Sequence, residues 1–227
     1  MRLCGRLKKG NRMKTRLSAA ALILALCLPP AQADVVFADP PHWKQLHEGE
    51  TAYLNRDYRR ALQILLPLAD NGDYTVRSIV QPKLAQIYVL GPEGVKNPAE
   101  AARWLHKAAE GGDIGSQYYL GLLYLRGRDR DFDIKPDAAQ AAKWFAKAAE
   151  QGHADAALTL ASIYEEGADG LPQDMAAAAR WYRKAAELGK PNAAAVLAQM
   201  YAQGVGVKRD LREAEKWRRR AEQDGER

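Results

Sequence analysis

The sequence predicts an all-α fold, a right-handed α-solenoid of about five helical hairpins. Two observations predict it: tryptophans recur at nearly constant intervals, and small residues keep a fixed offset from each tryptophan. The residues that set this register are Trp104, Trp144, Trp181 and Trp217, spaced 40, 37 and 36 residues apart. A constant period of about 20–50 residues is typical of stacked repeats, in which each repeat is one supersecondary unit.

The residues around each tryptophan predict the second helix of every hairpin, helix B. An alanine lies three residues before the tryptophan, an Asn or Asp seven before it, and a glycine eight after it. These residues are Ala101, Ala141, Ala178 and Ala214; Asn97, Asp137, Asp174 and Asp210; and Gly112, Gly152, Gly189 and Gly225. Asn and Asp favour the first position of a helix and glycine favours its end. Helix B therefore runs from the Asn or Asp to the glycine.

A second recurring pattern, upstream of each tryptophan, predicts the first helix, helix A. A leucine is followed by Ala or Gly, a tyrosine comes three residues later, and a glycine three residues after that. The leucine pairs are Leu84-Ala85, Leu120-Gly121, Leu160-Ala161 and Leu197-Ala198. Residues 45–72 repeat the pattern without its tryptophan and are expected to form a degenerate first repeat. The other repeats are predicted at 73–112, 113–152, 153–189 and 190–227, the last including a polar C-terminal cap.

Two insertions interrupt the period. Residues 74–81 are either an added helical turn or a kinked lead-in with Pro82 in the first turn of helix A, and the sequence leaves both open. The segment 126–136 lengthens the third repeat and is expected to form a surface loop with Phe132 at its tip. Long loops of repeat proteins often carry function.

The loop contains an alternation of acids that resembles the start of a calcium site. Asp129, Asp131 and Asp133 alternate, but Ile134 and Gln140 occupy the places where such a loop has Gly and Glu. The sequence therefore predicts a solvated loop and no metal site.

Several runs resemble Sel1-like (Sel-one-like) repeats, a tetratricopeptide-like family. They are Leu120-Gly-x-x-Tyr124-x-x-Gly127, Gly204-Val205-Gly206-Val207-x-x-Asp210 and Ala141-x-x-Trp144-x-x-x-Ala148-Ala149-x-x-Gly152. The resemblance covers about residues 45–225. It implies an adaptor or scaffold role, in bacteria often in the cell envelope. Family precedent also motivates an alternative, an envelope enzyme or binder that acts on cell-wall or β-lactam compounds.

The first 33 residues have the layout of a signal peptide. Basic residues without any acid precede the apolar run 17–28, and Ala31-Gln32-Ala33 provides a small-x-small site, so cleavage is expected after Ala33. Met13 is an alternative start. A Pro-containing tail is expected at 34–44, and the protein is expected in the periplasm or outside the cell.

Cleavage would change the charge balance. Seven of the 34 Lys and Arg residues lie in the signal and none of the 28 Asp and Glu residues does, so 27 basic residues would remain against 28 acidic ones. Neither nucleic acid nor an anionic membrane is therefore expected as a partner. Both cysteines, Cys4 and Cys27, lie in the same segment, so no disulfide or thiolate chemistry is expected afterwards.

The remaining sequence carries no recognised catalytic motif or cofactor motif. Ser78, Ser116 and Ser162 are not followed by Lys three positions on, which argues against a penicillin-type Ser-x-x-Lys site. His42, His47, His106 and His153 show no metal-ligand spacing and are interpreted as scattered surface residues.

A binding face is predicted on the A helices. At about 100° per residue, the positions two before and one after each small residue point away from the core. These positions are Lys83 and Gln86, Tyr119 and Leu122, Thr159 and Ser162, and Val196 and Gln199. Tyr119 and Leu122 are apolar, so they are either an interaction hot spot or covered by local packing or the neighbouring loop. In helical solenoids the A helices commonly line the concave surface. We therefore expect a protein or peptide partner on this face, with Phe132 as a second contact. Self-association stays open.

Overall fold

The computed structural model describes residues 41–127, 132 and 134–225, which form ten α-helices. The helices are α1 Pro41–Leu54, α2 Tyr58–Asn71, α3 Tyr74–Leu90, α4 Pro98–Glu110, α5 Ile114–Arg126, α6 Ala138–Glu150, α7 Ala154–Glu166, α8 Met175–Glu187, α9 Pro191–Gln203 and α10 Leu211–Gly225. Apart from the first residue of α1, they belong to one compact unit, His42–Arg227. The predicted signal peptide lies outside the described residues.

Odd-numbered helices are the A helices and even-numbered helices are the B helices of the five described hairpins. From α2 to α10, each helix packs against the next along the chain, both within a hairpin and between hairpins. This serial stacking is how repeats that cannot bury both faces alone become stable. The prediction of an all-α solenoid of hairpins is confirmed. Within the described part of the chain, no helix is both long and apolar enough to cross a bilayer.

The B helices begin at the predicted capping residues. Asn97, Asp137 and Asp174 each accept a hydrogen bond from the backbone N–H three residues on, at 3.2, 2.9 and 2.8 Å. Asp210 accepts from Glu213 in the same way, at 3.1 Å. Such bonds satisfy N–H groups that have no partner inside the helix, so the recurring Asn and Asp residues fix where each B helix starts.

The core consists of two clusters that meet at α6. The leucine of each A helix is almost completely buried, and Trp104, Trp144 and Trp217 are also buried, while Trp181 is half-buried. Trp144 belongs to the N-terminal cluster, whereas its neighbour Phe145 belongs to the C-terminal cluster. Three of the four tryptophans are thus part of the core, and Trp181 is so in part.

Small residues allow A and B helices to approach closely. A Cβ atom on Gly121 would lie 2.8 Å from ring carbons of Phe145, and one on Gly49 would lie 2.7 Å from Cγ of Leu65. Gly49 is thus the small A-helix residue of the first hairpin. The sequence pattern missed it because Glu48, rather than a leucine, precedes it.

The insertion at 74–81 is an added stretch of helix. α3 begins at Tyr74, where Asp73 caps it by accepting from the Val76 N–H at 2.9 Å, and Pro82 lies inside the helix. The alternative that places Pro82 in the first turn is wrong. At the N-terminus, α1 begins at Pro41, inside the segment 34–44 that the sequence assigns to a tail.

Two histidines have packing roles that the sequence analysis did not predict. His153 caps α7 by accepting from the Ala156 N–H, and its ring stacks on Tyr118 with centroids 4.2 Å apart. His106 is half-buried, with Nδ1 2.8 Å from the Ala102 carbonyl and Nε2 3.0 Å from the Tyr124 hydroxyl. The interpretation of both as scattered surface residues is wrong, because each one joins neighbouring hairpins or starts a helix.

Candidate protein-binding groove on the A helices

The predicted binding residues differ widely in exposure. Gln86, Tyr119 and Gln199 are exposed, whereas Lys83, Leu122, Thr159 and Ser162, together with Val196, are half-buried and Phe132 is buried. Side chains of neighbouring A helices contact one another, so positions directed away from the A–B core face the next A helix as well as solvent. The stripe is therefore only partly available to a partner.

Lys83 and Gln86 of α3 are bonded to α1. Lys83 Nζ lies 2.7 Å from Glu50 Oε1 and 5.1 Å from the ring centroid of Tyr53. The Tyr53 hydroxyl donates to Gln86 Oε1 at 2.8 Å. These contacts connect the first two hairpins, and a partner that uses Lys83 or Gln86 must compete with them. A partly exposed ion pair of this kind stabilises the fold by up to about 1 kcal/mol.

Phe132 covers one side of Tyr119. Phe132 is 4% exposed, and its ring meets the Tyr119 ring edge to face, with centroids 5.6 Å apart. The expectation of Phe132 at the loop tip is wrong, because burying its ring removes a large apolar area from water. Residues 128–131 and 133, which include Asp129, Asp131 and Asp133 of the calcium-like alternation, lie outside the described residues.

Tyr119 and Leu122 have different surroundings. Leu122 is half-buried and packs against the C-terminal cluster, so local packing covers it. Tyr119 keeps 39% of its surface exposed despite the contact with Phe132. Of the two, Tyr119 is the one whose aromatic ring a partner can reach.

Tyr119 lines a groove of about 500 Å³ between α3 and α5. The residues that form its walls include Ala85, Gln86, Val89, Leu90, Tyr119 and Phe132. Leu90 is 58% exposed, on the wall opposite Tyr119. Leu90 lies five residues after Ala85, at the last position of α3, and so falls outside the two positions of each A helix from which the binding face is predicted.

Polar groups at one end of the groove are already used in the fold. Asp113 Oδ2 accepts from the Ser116 N–H at 2.7 Å, which caps α5, and Ser116 is buried. The walls are otherwise mainly apolar, so the groove suits burial of an apolar side chain. Among the described residues, no group of three or more His, Cys, Asp and Glu side chains is arranged to hold a metal ion.

The other predicted residues lie outside this groove. Ser162 donates to the Leu158 carbonyl at 3.3 Å, and Gln199 lines a separate groove between α9 and α10. Thr159 is half-buried on α7. The structure thus brings Gln86, Tyr119 and Phe132 together in one groove.

Ser162 lies beside a buried tyrosine with a raised pKa. Its Oγ is 3.4 Å from the Tyr182 hydroxyl, which donates to the carboxylate of Glu165. Burial, and next the hydrogen bond to Glu165, raise the pKa of Tyr182 from 10.0 to about 12. Both causes favour the neutral phenol in the folded protein.

We expect this shift to make stability depend on pH in alkali. Because the folded-state pKa of Tyr182 exceeds the unfolded value, its contribution is complete below pH 10.0 and is lost as the pH rises through about 12. Denaturation midpoints measured between these pH values should fall more steeply for the wild type than for Tyr182→Phe. Equal slopes would show that Tyr182 titrates normally.

The comparisons with known proteins agree with this architecture. A family model for the Sel1 repeat matches residues 46–73, 83–113, 114–153, 154–190 and 191–225. No curated protein matches. A Sel1 repeat protein from Oxalobacter formigenes has a crystal structure that is 31% identical, with a TM-score of 0.53, and the match covers 79% of this chain and 70% of that one.

A second solved structure is a protective antigen with an SLR fold, present in uropathogenic Escherichia coli strains. It is 34% identical over 72% of this chain, with a TM-score of 0.55. The match covers 33% of the antigen, so this chain corresponds to about a third of that protein's length. The five matched repeats, which together cover most of the sequence, show that the chain belongs to the Sel1 repeat family.

Proposed function

We propose that this protein is a non-catalytic scaffold that binds a protein partner in the groove between α3 and α5. The observation that carries the proposal is the pair of exposed apolar side chains, Leu90 and Tyr119, on opposite walls of one mainly apolar groove. Membership of the Sel1 repeat family supports it, since these proteins are generally scaffolds for protein–protein interaction.

The chemistry of the groove indicates what the partner presents. Its volume of about 500 Å³ and its apolar walls suit a large aliphatic or aromatic side chain projecting from a helix or an extended segment. Tyr119 is already held on one side by Phe132, so it loses little conformational freedom when a partner packs on its other side. Gln86, at the edge of the groove, can donate a hydrogen bond from its Nε2, while its Oε1 accepts from Tyr53.

Replacement of Leu90 by aspartate is expected to weaken binding about 30-fold or more, which is the effect of a hot-spot residue. The new carboxylate would face the apolar side chain that the partner inserts into the groove. Leu54→Asp is the matched control, since Leu54 is also the last residue of an A helix and is 76% exposed outside the groove. The partner is first captured by crosslinking from an envelope extract of the source organism, and affinities are then measured with purified proteins.

A second variant tests the opposite wall. Tyr119→Ala should weaken the same partner by a similar factor, with a circular dichroism spectrum unchanged from the wild type. If a folded Leu90→Asp or Tyr119→Ala protein keeps wild-type affinity, the groove is not the binding site.

We also propose that the protein acts in the cell envelope, after removal of residues 1–33. Support comes from the signal-peptide pattern of the sequence. The mass of the protein recovered from its source organism tests the proposal, which requires an N-terminus at Asp34. The enzymatic alternative is tested with nitrocefin and peptidoglycan, and turnover above background would contradict the scaffold proposal.

A further inference from the structure

The last hairpin carries a second groove, of about 640 Å³, between α9 and α10. The α9 wall is formed by Ala195, Gln199 and Ala202, and the α10 wall includes Leu211, which is 61% exposed. This groove shares no residue with the one between α3 and α5, so the inference drawn from it is independent of the proposed function.

The groove occupies the surface on which earlier hairpins receive the next A helix. The residues of α5 that correspond to Ala195, Gln199 and Ala202 are Tyr118, Leu122 and Leu125, and all three pack against the C-terminal core cluster. Tyr118 in addition stacks on His153 at the start of α7. In α9 the same positions hold smaller or polar residues, and no helix of the described chain follows to cover them.

The α10 wall has exchanged apolar residues for charged ones. Leu211, Glu215, Arg218 and Glu222 are spaced four, three and four residues apart and so lie along one face of α10. The corresponding residues of α8, which pack in the C-terminal cluster, are Met175, Ala179, Tyr182 and Ala186. The face that α8 directs into the core is therefore, in α10, a stripe of alternating charge.

The two ends of the array differ, which limits how copies can associate. Three positions of α3 are buried and apolar: Val80, Leu84 and Ile87. The corresponding residues of α1 are Lys44, Glu48 and Thr51, and all three are exposed. The outer face of α1 therefore lacks the row of apolar residues through which other A helices pack against the preceding hairpin. Head-to-tail stacking of α1 on the α9–α10 groove of another copy is disfavoured.

The charged stripe of α10 is complementary to itself. When two α10 helices lie antiparallel, the register that places Glu215 opposite Arg218 of the second copy also places Arg218 opposite Glu215, because a two-fold axis repeats every contact. In one chain Glu215 already pairs with Arg218 at 2.6 Å and with Arg219 at 2.9 Å, and the side chains of Glu215 and Arg218 keep 38% and 66% of their surface exposed. They are available to exchange partners between copies.

We infer that the protein forms a symmetric dimer in which α10 of each copy lies in the α9–α10 groove of the other. The apolar floor, formed by alanines of α9 and α10, supplies the buried contact, and the two reciprocal Glu215–Arg218 pairs set the register. Because the axis closes the assembly, two copies complete it and no filament forms.

Charge reversal tests the dimer by sedimentation equilibrium of the purified protein. Glu215→Arg and Arg218→Glu should each weaken dimerisation about 100-fold, because each places like charges opposite one another twice. An equimolar mixture of the two variants should recover the dimer, since one copy then offers two basic residues and the other two acidic ones. The double variant, with the charges exchanged, should also dimerise.

Arg180→Glu is the matched control, because Arg180 is an exposed arginine on the preceding B helix, outside both grooves. It should dimerise like the wild type. Circular dichroism confirms folding of each variant, which is expected since Arg218 and Arg180 are exposed and Glu215 keeps 38% of its side-chain surface exposed. A monomeric wild type, or single variants whose mixture does not recover the dimer, would overturn the inference.

Discussion

Gly206→Ala is expected to lower the free energy of unfolding by about 2–4 kcal/mol, through backbone strain and a steric clash together. Gly206 has a positive φ of 67°, a conformation that costs an alanine energy because of its Cβ. That Cβ would also overlap the carbonyl oxygen of Met175 and lie 2.5 Å from its carbonyl carbon. Backbone atoms at the start of α8 cannot move aside as a flexible side chain would, so the loop before α10 must shift.

Gly170→Ala separates the two causes. Gly170 has a similar positive φ of 77°, but a Cβ there would have nothing within 4 Å. Its substitution should cost about 1 kcal/mol, from the backbone alone. Urea denaturation of both variants measures the difference. If the two glycines cost the same, the contact with Met175 contributes nothing.

Phe145→Ala is expected to be more damaging still, at about 3–5 kcal/mol. The ring is completely buried between hairpins, packs 5.8 Å from the Tyr118 centroid, and fills the space that the missing side chain of Gly121 leaves. Its removal creates a cavity that rigid helices on both sides cannot close. Denaturation of Tyr74→Ala is the control: this ring is 66% exposed, so the loss should stay near 1 kcal/mol.

A double-mutant cycle tests whether Gly121 and Phe145 are coupled. Gly121→Ala alone should destabilise the protein, because the added methyl group meets the Phe145 ring. In a Phe145→Leu background the same change should cost less. The second hairpin provides the precedent, since its corresponding residues, Ala85 and Leu105, are both buried without a glycine. An equal cost of Gly121→Ala in both backgrounds would show that the two residues act independently.

The residues that cap the B helices were predictable from the sequence. Asn97, Asp137 and Asp174 were assigned to helix starts from their offset to the tryptophans, and the structure confirms each bond. Capping involves only residues three positions apart, so a single sequence is enough to reveal it. The order of the hairpins followed from the same register.

The candidate site was less predictable because it depends on contacts between repeats. Helical phase placed Lys83 away from the A–B core, but it could not reveal Glu50 on the neighbouring helix. The same reasoning treated Phe132 as exposed, since nothing in the sequence shows that its ring packs against Tyr119. Leu90 was missed because only two positions of each A helix were compared.

Adjacent side chains of α6 belong to different clusters, Trp144 to the N-terminal one and Phe145 to the C-terminal one. In a linear array, each repeat is stabilised only by its contacts with the repeats next to it. The hairpin formed by α5 and α6 is therefore the coupling element of the molecule, since Tyr118, Leu122 and Leu125 of α5 also pack against the C-terminal cluster. While this hairpin stays folded, fraying at either terminus stops at a core that is anchored on both sides. Losing it would leave two short stacks, each with a newly exposed apolar end, so melting and aggregation should start from the same local event.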